Sequence, residues 1–210
     1  ERHSPLAGSG ENRLRVFDDV CDVHIRLERA DVFNFVQKNN EPADLLIAHA
    51  FLDLLQIPES LPKLFSLTNS LAWLTVNFDG VTSLEPAIDA ALDKQIERLY
   101  HQTMDTRPTG GDSKSGRHLF EHIRSVGAEI LAAGASDWVV HAVSGKYLED
   151  EEYFLHFILH FMEESLTGHV ELDADVFGSW LKERRAQIER SELVLIAHQM
   201  DFLVKNKPAG

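Results

Sequence analysis

Two imidazoles and a carboxylate stand together at His118-Leu119-Phe120-Glu121-His122, with the histidines four apart and so on one face of a helix. H-x-x-E-H is the inverted form of a zinc-hydrolase pattern. Zinc catalysis needs a third protein ligand and an open coordination position. His156 and His160, also four apart, are the partners within the sequence. Short patterns of this kind arise by chance, and the plainer reading is a surface helix packing Leu119, Phe120 and Ile123, so no metal is assigned. Ser136-Asp137 and Ser144-Gly145 lack the strand-to-helix elbow of a hydrolase serine. No G-x-x-x-x-G-K-[ST] phosphate loop is present. His49 lies inside an apolar run, where an imidazole serves either a site or a hydrogen-bonded core.

The positioning elements are legible around His49. Residues 44–50 (DLLIAHA) are an apolar run of buried-strand length. Residues 71–77 (LAWLTVN) are a second run, ending at the turn signal Phe78-Asp79-Gly80. Between them Leu54, Leu55, Leu61, Leu64 and Phe65 recur at helical spacings, interrupted by Pro58 and Pro62. Two strands buried on both faces and joined by a helix make a βαβ unit, hence a parallel sheet. Ligands of such sheets bind beyond the carboxyl ends of the strands. Those ends are Ala48-His49-Ala50 and Asn77-Phe78-Asp79, which puts Asn77 in reach of a substrate; the alternative is a polar turn.

Upstream, residues 23–27 (VHIRL) alternate like a strand and lead to Asp31-Val32. Downstream, Ile88, Ala91, Leu92, Ile96, Leu99 and Tyr100 mark an amphipathic helix, with Thr82 or Ser83 as its cap and Pro86 near its start. Residues 116–126 form a helix closed by Gly127. Residues 128–133 read as a strand, which 137–143 continues after a bend or pairs with. Residues 150–166 and 174–190 are helical, the first rich in aromatic side chains, and 193–204 (LVLIAHQMDFLV) read as one long final strand.

A chain of 210 residues has enough material for a sizeable core in one domain. A net charge of −14 argues against nucleic acid and anionic membranes as partners, since those require clustered Lys and Arg. Cys21 is the single cysteine, which excludes an internal disulfide, and no apolar run is long enough to span a membrane. These features fit a cytoplasmic protein. Residue 1 is Glu, and the opening ERHSPLAGSGEN resembles neither a signal peptide nor a core strand. The sequence therefore reads as a fragment, a processed product or a set of ordered residues.

Residues 44–80 resemble the fourth strand, helix and fifth strand of class I methyltransferases dependent on S-adenosylmethionine. Residues 116–131 (GRHLFEHIRSVGAEIL), with their Gly127-Ala128 step, resemble the last core helix and sixth strand of that family. Residues 128–143 with 193–204 resemble its closing antiparallel strands. The order of elements carries the resemblance across about three quarters of the chain. Two family features are not visible: a D-x-G-x-G turn after a first strand, and an acidic ribose-binding residue after the second. Gly8-Ser9-Gly10 follows no apolar strand, and Thr68-Asn69-Ser70 stands where the family carries Pro-Gly-Gly.

The resemblance implies an α/β fold: a doubly wound, mostly parallel sheet with an antiparallel last strand and a helical insert at 147–190. It implies one methyltransferase-like domain over 1–210 that lacks its N-terminal cofactor-binding unit. S-adenosylmethionine is the implied cofactor. Asp31 would accept a hydrogen bond from the adenine amino group, beside the backbone of Val32, and Ala48 and His49 would line the methionine end. Inserts before the last strand cover the substrate pocket in this family, which points to Trp138, Tyr153 and His156; their aromatic stripe also fits ordinary core or a homodimer contact. The implied reaction is methyl transfer to a small molecule, with His49 or His141 as base where the acceptor carries a proton. The alternatives are a catalytically inactive binding or scaffold relative, and the metal hydrolase considered above.

Overall fold

The computed structural model describes residues 12–38, 41–107 and 111–206. The chain divides into two compact units, Glu1–Asn40 and Glu41–Gly210. In the first, β1 (Arg13–Phe17) and β2 (Asp22–Arg26) form an antiparallel hairpin, followed by α1 (Val32–Lys38). Asp18 accepts from the amides of Val20 and Cys21 and so shapes the turn. The strand expected around residues 23–27 therefore exists, as one arm of a two-stranded ribbon.

In the second unit β3 (Ala43–His49), β4 (Thr68–Val76), β6 (Glu129–Ala135) and β9 (Met200–Lys205) form a sheet in the order β3-β4-β9-β6. β3 and β4 are parallel, and β9 runs antiparallel to both of its neighbours. Three strands thus share a direction and the last is reversed, in an α/β arrangement with a mostly parallel sheet. A turn at Leu52–Leu54 and α2 (Ile57–Phe65) connect β3 to β4. Pro58 sits in the first helical turn, where no intrahelical donor is lost.

Cross-strand rows define the two faces. Ala48, Leu74 and Phe202 lie in one row and Ala72 and Val204 in the next, and all are buried. α2 and α4 (Ser115–Ser125) pack on each other and on this face through Leu61, Leu64, Leu119 and Ile123. The opposite face carries the row of Ile47, Trp73 and Leu203, and Leu45, Ile47 and Trp73 remain exposed. β3 and β4 are therefore buried on one face among the described residues, not on both.

A second sheet of three strands, β5 (Thr82–Glu85), β7 (Trp138–Val140) and β8 (Val194–Ala197), is antiparallel in the order β5-β8-β7. α3 (Ala90–Asp105), α5 (Glu151–Leu166) and α6 (Ala174–Glu189) share one core with it, built on Ile96, Leu99, Val140, Leu155, Leu159, Trp180 and Leu195. α5 and α6 are the two helices of the segment 147–190. Thr82 and Ser83 are strand residues, so the helix starts later than their capping potential suggested. Asp89 caps it, accepting from the amides of Ala91 and Leu92. The final strand is also not continuous. It breaks at His198-Gln199, so that β8 belongs to one sheet and β9 to the other.

Candidate functional site at the carboxyl edge of the sheet

The break in the last strand marks a joint. β4 is followed by β5, β6 by β7, and β8 leads into β9, so three strands pass from one sheet to the other at one level. Backbone bonds stitch this level together: Asp79 N–H to His198 O, His198 N–H to Val81 O, and Ser136 N–H to Gln199 O. It lies beyond the carboxyl ends of β4 and β6, where open α/β sheets hold ligands.

Asp79 is the anchor. Its side chain is 3% exposed, and Oδ1 accepts from the Arg117 backbone N–H at 2.7 Å while Oδ2 accepts from Arg117 Nε at 3.0 Å. Lys114 at the start of α4 offers no side-chain cap, so Asp79 satisfies an orphan amide of that helix from another element. The carboxylate also faces the positive end of the helix dipole. Ser115 Oγ–H donates to Phe78 O at 2.9 Å, a second tie between the strand end and α4. Gly116 makes the approach possible: a Cβ there would lie 2.9 Å from Asp79 Cβ.

His198 stands between two carboxylates. Nδ1 is 2.6 Å from Asp137 Oδ1, and Nε2 is 3.8 Å from Asp79 Oδ2. An Nδ1–H donated to Asp137 orients the ring and leaves Nε2 as the acceptor atom facing Asp79. Sequence reading missed this pair because its members are 61 residues apart. The available signal was a His at the end of one apolar run and an Asp at the start of another.

The expected residues are placed as follows. Asp31 is the N-cap of α1: its Oδ1 accepts from Asn34 N–H at 2.9 Å. Val32 opens that helix. Ala48 is buried on the helix-covered face, whereas His49 is exposed and meets the Trp73 ring edge-on at 4.7 Å. Asn77 is exposed at the end of β4. Its backbone N–H faces the carboxyl of Asp53, which burial pushes above the usual carboxylate range and whose Oδ1 has no partner among the described residues. Trp138, next to Asp137, stacks on Phe154 of α5 at 4.3 Å. Tyr153 is exposed and stacks on Phe157, and His156 is half-buried. His141 is exposed. The structure thus brings Trp138 to the joint near His198 and joins Asn77 to Asp53.

The H-x-x-E-H helix carries Leu119 and Ile123 into the core, and His118 Nδ1 lies 2.6 Å from Asp112 Oδ2. Among the described residues no group of three or more His, Cys, Asp or Glu side chains is arranged to hold a metal ion. No helix there is long and apolar enough to cross a membrane.

No family model and no curated protein matches the chain. Among solved structures it is similar to the cyclopropane synthase MmaA2 from Mycobacterium tuberculosis, at 11% identity and a TM-score of 0.34, covering 81% of this chain and 58% of that one. It is also similar to Haemonchus contortus phosphoethanolamine N-methyltransferase 2 in complex with S-adenosyl-L-methionine, at 12% identity and a TM-score of 0.32, over 81% of this chain and 35% of that one. A third is coclaurine N-methyltransferase bound to N-methylheliamine and S-adenosylhomocysteine, at 9% identity and a TM-score of 0.38, over 86% of this chain and 51% of that one. The chain thus spans between 35% and 58% of the length of these structures.

Proposed function

We propose that this chain is part of an S-adenosylmethionine-dependent methyltransferase acting on a small molecule. The supporting observation is the reversed β9 lying between β4 and β6, the closing antiparallel strand that the sequence resemblance requires. The carboxyl edge has groups suited to such ligands. Asp53 Oδ1 is a buried acceptor without a described partner, which a ligand hydroxyl or ammonium would satisfy. His49 and Trp73 offer an exposed ring pair at the end of β3. The cofactor, when bound, supplies an electrophilic methyl group, and the chain's task is to align the acceptor with it and exclude water. In this reading Trp138 bears on the acceptor. Asp137-oriented His198 takes the acceptor's proton, a better-held base than exposed His49 or His141.

A second reading has its own observation. The Asp31 carboxylate is engaged as a helix cap, and residues around 23–27 form a hairpin arm. That arrangement favours a catalytically inactive relative serving as a binding or scaffold protein.

Calorimetric titration of S-adenosylhomocysteine into the protein separates the two. The methyltransferase reading expects a Kd on the order of 1–100 μM. A folded protein that gives no heat at about 1 mM ligand overturns it.

A further inference from the structure

One face of α3 departs from the charge of the molecule as a whole. Lys94, Arg98, His101 and Asp105 recur along one helical stripe, and with Ser113 and Lys114 from the segment before α4 they line a cleft of about 620 Å³. That volume suits a metabolite-sized ligand. The chain has a net charge of −14, yet here cations outweigh the acids.

The acids lining the cleft are already engaged. Asp105 accepts from Ser113 N–H at 2.7 Å and from Ser113 Oγ–H at 3.2 Å, and Glu97 Oε1 accepts from Thr82 N–H at 3.2 Å. Arg98 is held by Glu171 at 2.7 Å. The ammonium groups of Lys94 and Lys114 have no ion-pair or hydrogen-bond partner among the described residues. Between them His101 is half-buried, with Nε2 3.4 Å from Thr82 Oγ1 and its ring edge-on to Phe78 at 4.8 Å. Burial holds this imidazole neutral, with its pKa at about 4, and the nearby Lys114 charge pushes the same way. A neutral ring bonded to a hydroxyl through Nε2 keeps Nδ1 as a second hydrogen-bonding atom.

We propose that this cleft binds a small molecule through a carboxylate or phosphate head group, with Lys94 and Lys114 supplying charge and His101 a hydrogen bond. The shape and the chemistry agree. Two unpaired ammonium groups on flexible stems close onto an oxyanion, while the neutral imidazole and the lysine methylenes accept the less polar body of the ligand. The contact of His101 with Phe78 sets the cleft beside the end of β4. The inference stands independently of methyl transfer.

Phenyl phosphate, with inorganic phosphate and benzoate as competitors, is titrated into the protein while histidine ring resonances are followed by NMR. His101→Gln assigns the His101 signal. The expected result is a saturable shift of His101, competition by at least one of the two anions, and about tenfold weaker binding in the double variant K94A/K114A. Both lysines are exposed, so the variant is expected to fold; its spectrum outside the cleft checks this. No saturable shift of His101 at about 10 mM phenyl phosphate, or undiminished binding by the double variant, overturns the proposal. S-adenosylhomocysteine calorimetry on the same samples reports separately on the methyl-transfer reading.

Discussion

Asp79 and His101 carry opposite lessons about burying an ionisable group. Asp79 is buried with both oxygens met by Arg117 and the α4 amide, so removing the guanidinium leaves a buried carboxylate half satisfied. Arg117→Ala is expected to cost about 2 kcal/mol, less than a wholly buried pair because Arg117 is half-exposed, measured by urea unfolding. His101 is kept neutral instead. Its pKa falls from 6.5 to about 4 chiefly through burial, opposed by Asp105 and assisted by Lys114. The unfolded chain therefore takes up a proton that the folded chain does not between roughly pH 6.5 and 4. The stability contributed by His101 is complete above that window and is lost as pH falls through it. His101→Gln is expected to flatten the pH dependence of unfolding free energy in that range while changing it little at pH 8.

At the scale of elements, helix starts show how much the sequence could say. The amphipathic pattern locates α3, but its start depends on which candidate capping residue is drawn into a strand. Thr82 and Ser83 pair with Ala197 and Ile196, far along the chain, and Asp89 takes over the cap. Asp89→Ala should cost about 1 kcal/mol, read as a lower midpoint in thermal unfolding. α4 was legible from periodicity and from Gly127, whereas its cap from Asp79 was not, because no local pattern announces an acceptor 38 residues away. Gly116→Ala tests that docking: the added methyl meets Asp79 Cβ at 2.9 Å and Met200 Cγ at 3.0 Å, so the helix end must shift. A loss of about 1–3 kcal/mol is expected. The break at His198-Gln199 was hidden because the short polar interruption between the apolar stretches 193–197 and 202–204 suits one long strand as well as two short strands. With it was hidden the Asp137–His198 pair.

The whole molecule adds a constraint that neither residues nor elements state alone. An apolar run such as LLIAHA or LAWLTV reads as a strand buried on both faces. In the structure the helix-covered rows are buried, while Leu45 is 43% exposed, Ile47 54% and Trp73 45%. Apolar residues grouped on one sheet face are an association liability in a chain that leaves them open. A net charge of −14 opposes contact between copies, and that opposition is electrostatic and screened by salt, whereas hydrophobic attraction is not. This 210-residue chain should therefore be monomeric at low ionic strength and self-associate as salt approaches about 0.5 M, seen as a rise in weight-average mass by analytical ultracentrifugation. Replacing Ile47 by Ser and Trp73 by Gln removes apolar area without changing charge. The double variant should stay monomeric across the same salt range. If it associates as strongly as the parent, the open sheet face is not the contact. If the parent stays monomeric throughout, the face is better shielded than its exposed side chains indicate.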